Sequence, residues 1–340
     1  MKSILRLTLI FLILLTLVVI TSLYYIFDSR PISRAQGTVD LIIQDGASLT
    51  SIADQLHEIG VIRSPSSFKI AARLLEKTRA IYPGAYTLKK QSTNTEAIEA
   101  LAHARAVEIT VTIPEGLRSD EIIGILSRKL KLDSLKLDSL LTDPGLLQIA
   151  GSGFHHLEGA LYPETYRFLE NSDESLVMKK LVTHFRAIIE PELLVQAKAY
   201  GFDLYKLIIF ASLVEKETGR VDERTLVSSV YHNRLKQNML LGCDPTLIYM
   251  LVRRGEWDGN IRRKHFSIRD PYNSYLYRGL PPGPIANPGL ASILASLNPE
   301  DTQFLYFVGK NDGSGSHDFS KTLREHTNKV NRYQRRSRAK

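Results

Sequence analysis

Apolar residues are spread unevenly along the chain. Residues 7–27 form 21 consecutive positions without a charge, including Leu9-Ile10-Phe11-Leu12-Ile13-Leu14-Leu15 and Leu17-Val18-Val19-Ile20. About 20 apolar residues at 1.5 Å rise cross a hydrocarbon core of about 30 Å. A soluble core helix is not apolar on every face over that length. Signal-peptide apolar regions run to about 15 residues and end in an Ala-x-Ala-like site, which is absent before Asp28. The pattern therefore predicts an uncleaved transmembrane anchor over 7–27. Lys2 and Arg6 precede it, while Arg30 and Arg34 follow it, partly offset by Asp28. That bias favours a cytoplasmic N-terminus (residues 1–6) with the remainder outside, and Tyr24 and Tyr25 at the outer interface.

Beyond the anchor the texture is that of a folded protein. Residues 28–38, with Pro31 and Gly37, read as a stalk. A strand is predicted over 39–43, a turn at Asp45-Gly46, and a helix over 48–59 with Leu49, Ile52, Ala53 and Leu56 on one face. Ser64-Pro65 opens a second helix carrying Phe68, Ile70, Ala71 and Leu74-Leu75. Tyr82-Pro83-Gly84 then turns into a returning strand over 85–88. This βααβ subdomain, assigned to 39–105, resembles LysM-type carbohydrate-binding modules; a small structural subdomain without a ligand is the alternative. A weak repeat follows within a connector over 106–156: a strand at 109–113, an acidic-Gly turn at Glu115-Gly116, and a helix over 119–130.

From 157 to 334 long helices alternate with irregular loops, predicted over 175–189, 191–200, 204–218 and 222–238. Residues 272–289 hold four prolines and three glycines, which exclude regular structure. A strand over 303–308 and a final helix from about 320 complete the chain. The fold class expected is α+β: a transmembrane helix, a LysM-like βααβ subdomain, and a mostly helical C-terminal catalytic domain with irregular loops.

The helix over 204–218 is apolar through Leu207-Ile208-Ile209-Phe210-Ala211-Ser212-Leu213-Val214 and then presents Glu215-Lys216-Glu217. Glu215 continues the wholly apolar stripe Leu204, Leu207/Ile208, Ala211. A carboxyl there should have a raised pKa, as a general acid at neutral pH requires. Helix C-termini attract cations rather than paired glutamates, which sets this end apart from an ordinary solvated terminus. Glu217 lies about 200° round the helix from Glu215, so the two cannot flank one bond.

Residues 211–218, Ala-Ser-Leu-Val-Glu-Lys-Glu-Thr, resemble the catalytic signature of the YceG-like endolytic murein transglycosylases, the MltG family. The resemblance continues in order through Leu157-Glu158-Gly159-Ala160-Leu161-Tyr162-Pro163-Glu164-Thr165-Tyr166 and Val230-Tyr231-His232-Asn233-Arg234-Leu235. It extends through Asp244-Pro245-Thr246-Leu247-Ile248-Tyr249, read as a loop, then Pro271-Tyr272-Asn273-Ser274-Tyr275 and residues 279–289. The series closes with Leu305-Tyr306-Phe307-Val308, His317-Asp318-Phe319 and His326. The resemblance implies a lytic transglycosylase that cleaves the MurNAc–GlcNAc β-1,4 bond and leaves 1,6-anhydromuramyl ends, with Glu215 as the catalytic residue. It places Glu217, Asp244, Thr246, Tyr272, Asn273 and Tyr275 near the glycan cleft. It implies no metal or organic cofactor, peptidoglycan strands as substrate, and membrane-bound peptidoglycan synthases as partners. One departure stands out: Gly242-Cys243 replaces the usual Gln-Ser/Thr before Asp-Pro-Thr. A muramidase that uses water and a non-catalytic wall-binding scaffold are the rival readings.

Composition adds less. The single cysteine, Cys243, excludes an internal disulfide and reads as a small buried hydrophobe. His155-His156 and His317-Asp318 lack metal-ligand spacing. The net charge of +8 and pI near 9.4 could signal nucleic acid, an anionic membrane or an acidic glycan. Four of those charges sit in the basic tail 335–340 and two precede the anchor, leaving only +2 in between. The basic pI therefore reports topology and a solvated tail, and excludes a nucleic-acid-binding surface.

Overall fold

A computed structural model describes residues 2–31, 37–44, 46–78, 80–103, 108–170 and 172–333. Residues 32–36 of the stalk, Asp45 of the first turn and the basic tail lie outside them. The chain divides into two compact units, one of residues 1–109 with 167–172 and one of 110–166 with 173–340.

The first unit begins with α1 (Lys2–Phe27), long and apolar enough over Thr8–Phe27 to cross a membrane. Next come β1 (Thr38–Ile43), α2 (Leu49–Glu58), α3 (Pro65–Leu74), β2 (Gly84–Lys89) and α4 (Asn94–His103). The predicted β-α-α-β order is observed, with β1 and β2 antiparallel, Val39 opposite Leu88 and Leu41 opposite Tyr86. Alternation turns Leu41, Ile43, Tyr86 and Leu88 inward onto Ile52, Leu56, Phe68, Ile98 and Leu101. Both predicted helix starts are real caps: Ser48 Oγ accepts from Ser51 N–H and Ser64 Oγ from Ser67 N–H.

α4 was not foreseen, although its signal is in the chain. Thr93 and Glu96 form a capping box: Thr93 N–H donates to Glu96 Oε2 at 2.9 Å, and Glu96 N–H to Thr93 Oγ1 at 3.0 Å. This helix also holds the end of α1. Buried Asn94 Nδ2 donates to Ile26 O (2.7 Å) and Ser67 Oγ (2.9 Å), and Thr95 Oγ1 donates to Phe27 O (3.3 Å). These bonds satisfy carbonyls that the last turn of any helix leaves open. Residues 28–30, read as the start of a stalk, pack against the unit: Ser29 is buried and Arg30 pairs with Glu96.

β3 (Glu108–Thr112) and β4 (Thr165–Leu169) form a separate two-stranded sheet. The second unit adds α5 (Ser119–Leu130), α6 (Ser134–Ser139), α7 (Pro144–Ala150), α8 (Glu174–Ile188), α9 (Pro191–Ala199) and α10 (Leu204–Glu217). It continues with α11 (Arg224–Lys236), α12 (Asp244–Arg253), α13 (Leu290–Leu297), β5 (Tyr306–Gly309), β6 (His317–Ser320) and α14 (Leu323–Tyr333). α10 is the axis of this unit. Every residue from Leu207 to Val214 is buried, because α11, α12 and α13 pack around it. Residues 244–249, expected as a loop, open α12, with Pro245 in its first turn. The segment 272–289 is irregular, as its prolines and glycines predict.

Replacing Asn94 by Ala should cost the first unit about 1–3 kcal/mol, because Ile26 O and the buried Ser67 Oγ both lose their donor. Urea unfolding checks this.

Candidate active site

The emergence of α10 from its apolar surroundings positions Glu215, Lys216 and Glu217. At that end the turn after β3 and the end of the irregular loop are joined by backbone bonds. Gly116 N–H donates to Asn287 O (2.9 Å), and Asn287 N–H donates to Leu117 O (2.8 Å). Buried Asn287 also donates through Nδ2 to Leu117 O and Glu158 Oε1, and its Oδ1 accepts from Leu161 N–H. Glu158 Oε1 further accepts from Ser119 N–H and Oγ, and its Oε2 from Tyr249 OH. Burial pushes Glu158 up to about 7 against these donors.

Glu215 lies where the two loops meet. Its Oε1 accepts from Arg224 Nη2 at 3.0 Å and its Oε2 from Gly289 N–H at 3.1 Å. Its side chain is 6% exposed, and that of Arg224 7%. Arg224 Nη2 also reaches Glu115 Oε2 at 3.3 Å. Lys216 turns its ammonium onto Gly116 O at 2.9 Å. Two glycines make room for the carboxylates. A Cβ at Gly116 would lie 3.3 Å from Glu215 Cγ, and one at Gly289 would lie 1.9 Å from Glu115 Oε1. The apolar surroundings expected for Glu215 are thus replaced by a cation and a backbone donor.

A carboxyl held up by burial is found two residues on. Glu217 faces Tyr231, Cys243, Asp244 and Arg234, and burial, reinforced by the Asp244 charge, pushes it up to about 7. Cys243 Sγ lies 3.6 Å from Glu217 Oε2. Burial raises that thiol well above its ordinary range, so Cys243 is an inert packing residue, as expected. The 200° offset is borne out in the partners: Glu215 and Glu217 share none of their bonded neighbours.

The other expected site residues fall into three groups. Asp244 and Tyr275 join Glu217: Tyr275 OH donates to Asp244 Oδ1 at 2.6 Å. Thr246 and Asn273 are fully buried braces. Thr246 Oγ1 bonds Cys243 O and Ser274 Oγ, while Asn273 Nδ2 holds Phe266 O and Ile268 O. Tyr272 stands apart, lining a cavity of ≈ 120 Å³ with His156, Glu158, Tyr205 and Tyr249, and Arg253 lies over its ring at 5.1 Å. Gly242, where the sequence departs from the usual pattern, has φ +57, which a glutamine adopts only at a cost of about 1 kcal/mol. Sequence reasoning passed over Arg224, Glu115 and Gly289. Glu115-Gly116 and Gly289 read only as turn residues, and Arg224 is one of several polar residues of α11, with no local signal to single it out.

Comparison with known proteins settles the family. The model of the YceG-like family matches residues 41–332. The chain belongs to the YceG-like family. It is 30% identical over 322 residues to the endolytic murein transglycosylase of Bacillus subtilis (strain 168), covering 89% of this chain and 87% of that protein. It is 28% identical over 321 residues to the endolytic murein transglycosylase of Streptococcus pneumoniae (strain ATCC BAA-255 / R6), covering 84% of this chain and 57% of that longer protein. A putative YceG-like protein from Listeria monocytogenes, solved at 2.6 Å, aligns with a TM-score of 0.58 at 28% identity, over 86% of this chain and 99% of that one. The motifs quoted from residues 157–326 all lie within the matched YceG-like segment.

Glu217 makes stability depend on pH. Its folded pKa of about 7 exceeds that of the unfolded chain, so the folded state binds the proton more tightly. Stability from this group is greatest below about pH 4.5 and falls as pH rises towards 7. Glu217→Gln cannot ionise, so its thermal midpoint should exceed that of the wild type by more at pH 8 than at pH 5. Scanning calorimetry at both values checks this.

Proposed function

We propose that this YceG-like chain is an endolytic peptidoglycan lytic transglycosylase that cleaves the MurNAc–GlcNAc β-1,4 bond within nascent strands and so ends glycan elongation. The observation that carries the reading is Glu215, held by both oxygens where the buried α10 meets the Glu115-Gly116 turn and Gly289. The names of the Bacillus and Streptococcus relatives support it.

Glu215 protonates the leaving glycosidic oxygen and, as carboxylate, then takes the proton of the muramyl C6 hydroxyl as that oxygen closes on its own anomeric carbon. An intramolecular nucleophile of this kind carries a high effective molarity and needs no second carboxylate as base. Hydrolytic glycosidases use two carboxyls that flank the bond. Glu115 and Glu215 do not leave such a gap, because both engage the same nitrogen of Arg224, which occupies the space between them.

Around this centre the reading assigns α1 as a single-pass inner-membrane anchor with a cytoplasmic N-terminus and the catalytic domain in the periplasm. The βααβ subdomain of the first unit serves as a LysM-like module. Asp244, Tyr275 and Glu217 line one part of the glycan cleft and Tyr272 another, with Thr246 and Asn273 bracing the loops behind them. Membrane-bound peptidoglycan synthases are the partners that this placement suits.

Mass spectrometry of purified sacculi digested with the full chain tests the reaction. The wild type should produce 1,6-anhydromuramyl ends, and Glu215→Gln should lower their rate at least ~100-fold while retaining a cooperative unfolding transition. New reducing MurNAc ends instead would establish the hydrolytic muramidase, and no new ends the scaffold.

A further inference from the structure

The reaction asks Glu215 to hold a proton at the outset. Yet Glu215 Oε1 accepts from a guanidinium and Oε2 from a backbone N–H, so a proton placed on either oxygen has to displace one of these donors. What else Arg224 binds bears on this conflict. Its Nη2 is shared between Glu215 Oε1 at 3.0 Å and Glu115 Oε2 at 3.3 Å. Its Nε and Nη1 are buried without a hydrogen-bond partner among the described residues. Neither carboxylate therefore receives the two-pronged grip that would fix the guanidinium on it. Arg224 and Glu215 are almost fully buried, so their interaction is little screened, whereas the Glu115 side chain is 46% exposed.

The charges on neighbouring elements are engaged elsewhere. Lys216 bonds Gly116 O. Arg118, further along the turn, pairs with Asp120 and Glu121. Glu223, beside Arg224, is bound by His317 and Arg220. The Tyr162 hydroxyl, before β4, is raised by burial and by the charges of Glu115 and Glu164. Glu115 is thus the one carboxylate among these groups that shares Arg224 with Glu215.

We propose that Glu115 and Arg224 are positioning residues for the acid–base step: Glu115 competes with Glu215 for the guanidinium, and a swing of Arg224 onto Glu115 lets Glu215 take up the proton that the leaving oxygen needs. This rests on the reading of Glu215 as the acid. The proton enters from solvent on Oε1, the atom that Nη2 vacates. It passes to the glycosidic oxygen as the C1–O4 bond breaks and is replaced from the C6 hydroxyl as the O6–C1 bond forms, so no net proton is consumed. Gly289 permits the arrangement, since its backbone is ordinary (φ −78) and only the space above it is special.

The test is the pH dependence of kcat/KM for anhydromuramyl ends, measured on the full chain in nanodiscs. In Glu115→Gln, Arg224 is left to Glu215 alone. The alkaline limb should then move down by about one pH unit, a tenfold loss at alkaline pH, with recovery towards wild type at lower pH and KM within about twofold. Glu115→Asp should restore the limb. Gly289→Ala, which displaces the Glu115 carboxylate without removing it, should shift the limb as Glu115→Gln does, and it serves if Glu115→Gln loses its cooperative unfolding transition. An unchanged limb, or a loss of the same factor at every pH, would overturn the proposal. If the wild type forms no anhydromuramyl ends, the reaction assignment fails first. The coupling is then read from the carboxyl ¹³C titration of Glu215, whose midpoint must fall in Glu115→Gln; a midpoint that stays put overturns the proposal independently.

Discussion

A helix buried on every side has to give up its burial somewhere, and in this protein the place where α10 does so organises the second unit. The eight residues from Leu207 to Val214 are enclosed by α11, α12 and α13. The three charged residues that follow must therefore find partners within a single turn. Glu215 takes Arg224 and Gly289 N–H, Lys216 takes Gly116 O, and Glu217 takes Tyr231, Cys243 and the Asp244 side. The loops around the site take their positions from these obligations. The buried polar knot of Glu158 and Asn287 then ties the loops to one another.

Much of this was legible in the sequence, for local reasons. The α10 stripe, the paired serine caps of α2 and α3 and the alternation of β1 and β2 are one-dimensional signals, and each element stands where its spacing put it. The prolines and glycines of 272–289 likewise excluded regular structure there. What stayed hidden depended on partners distant in sequence. Arg224 and Glu115 are 109 residues apart and are adjacent only in the fold. The surroundings of Glu215 were misjudged for the same reason: a helical stripe describes the helix's own face, but not the guanidinium that another helix brings to it. Residues 244–249, read as a loop within the resemblance, instead open α12, because proline in the first turn of a helix costs nothing.

The two glutamates of α10 illustrate how neighbours decide chemistry. One is ion-paired and bonded at both oxygens. The other, two positions on, is raised by burial to about 7 and keeps company with a tyrosine and an inert thiol. Identical side chains on one turn of one helix thus meet different surroundings. The one raised by burial is Glu217, which the resemblance places near the cleft, not Glu215, to which it gives the catalytic role. Glycine has a comparable part in the other half of the site. Gly116 and Gly289 contribute no side chain, and that absence is what allows two carboxylates to share one cation.

The grip of Asn94 and Thr95 on the last carbonyls of α1 has a mechanical meaning. A domain hung from a slack tether sweeps out a hemisphere and meets its target by diffusion. Here the last turn of α1 and the rest of the first unit share hydrogen bonds and a hydrophobic core through Ile26 and Phe27, so they move as one piece. With α1 across a membrane, as its length and composition allow, the orientation of the whole first unit follows the tilt of a single helix.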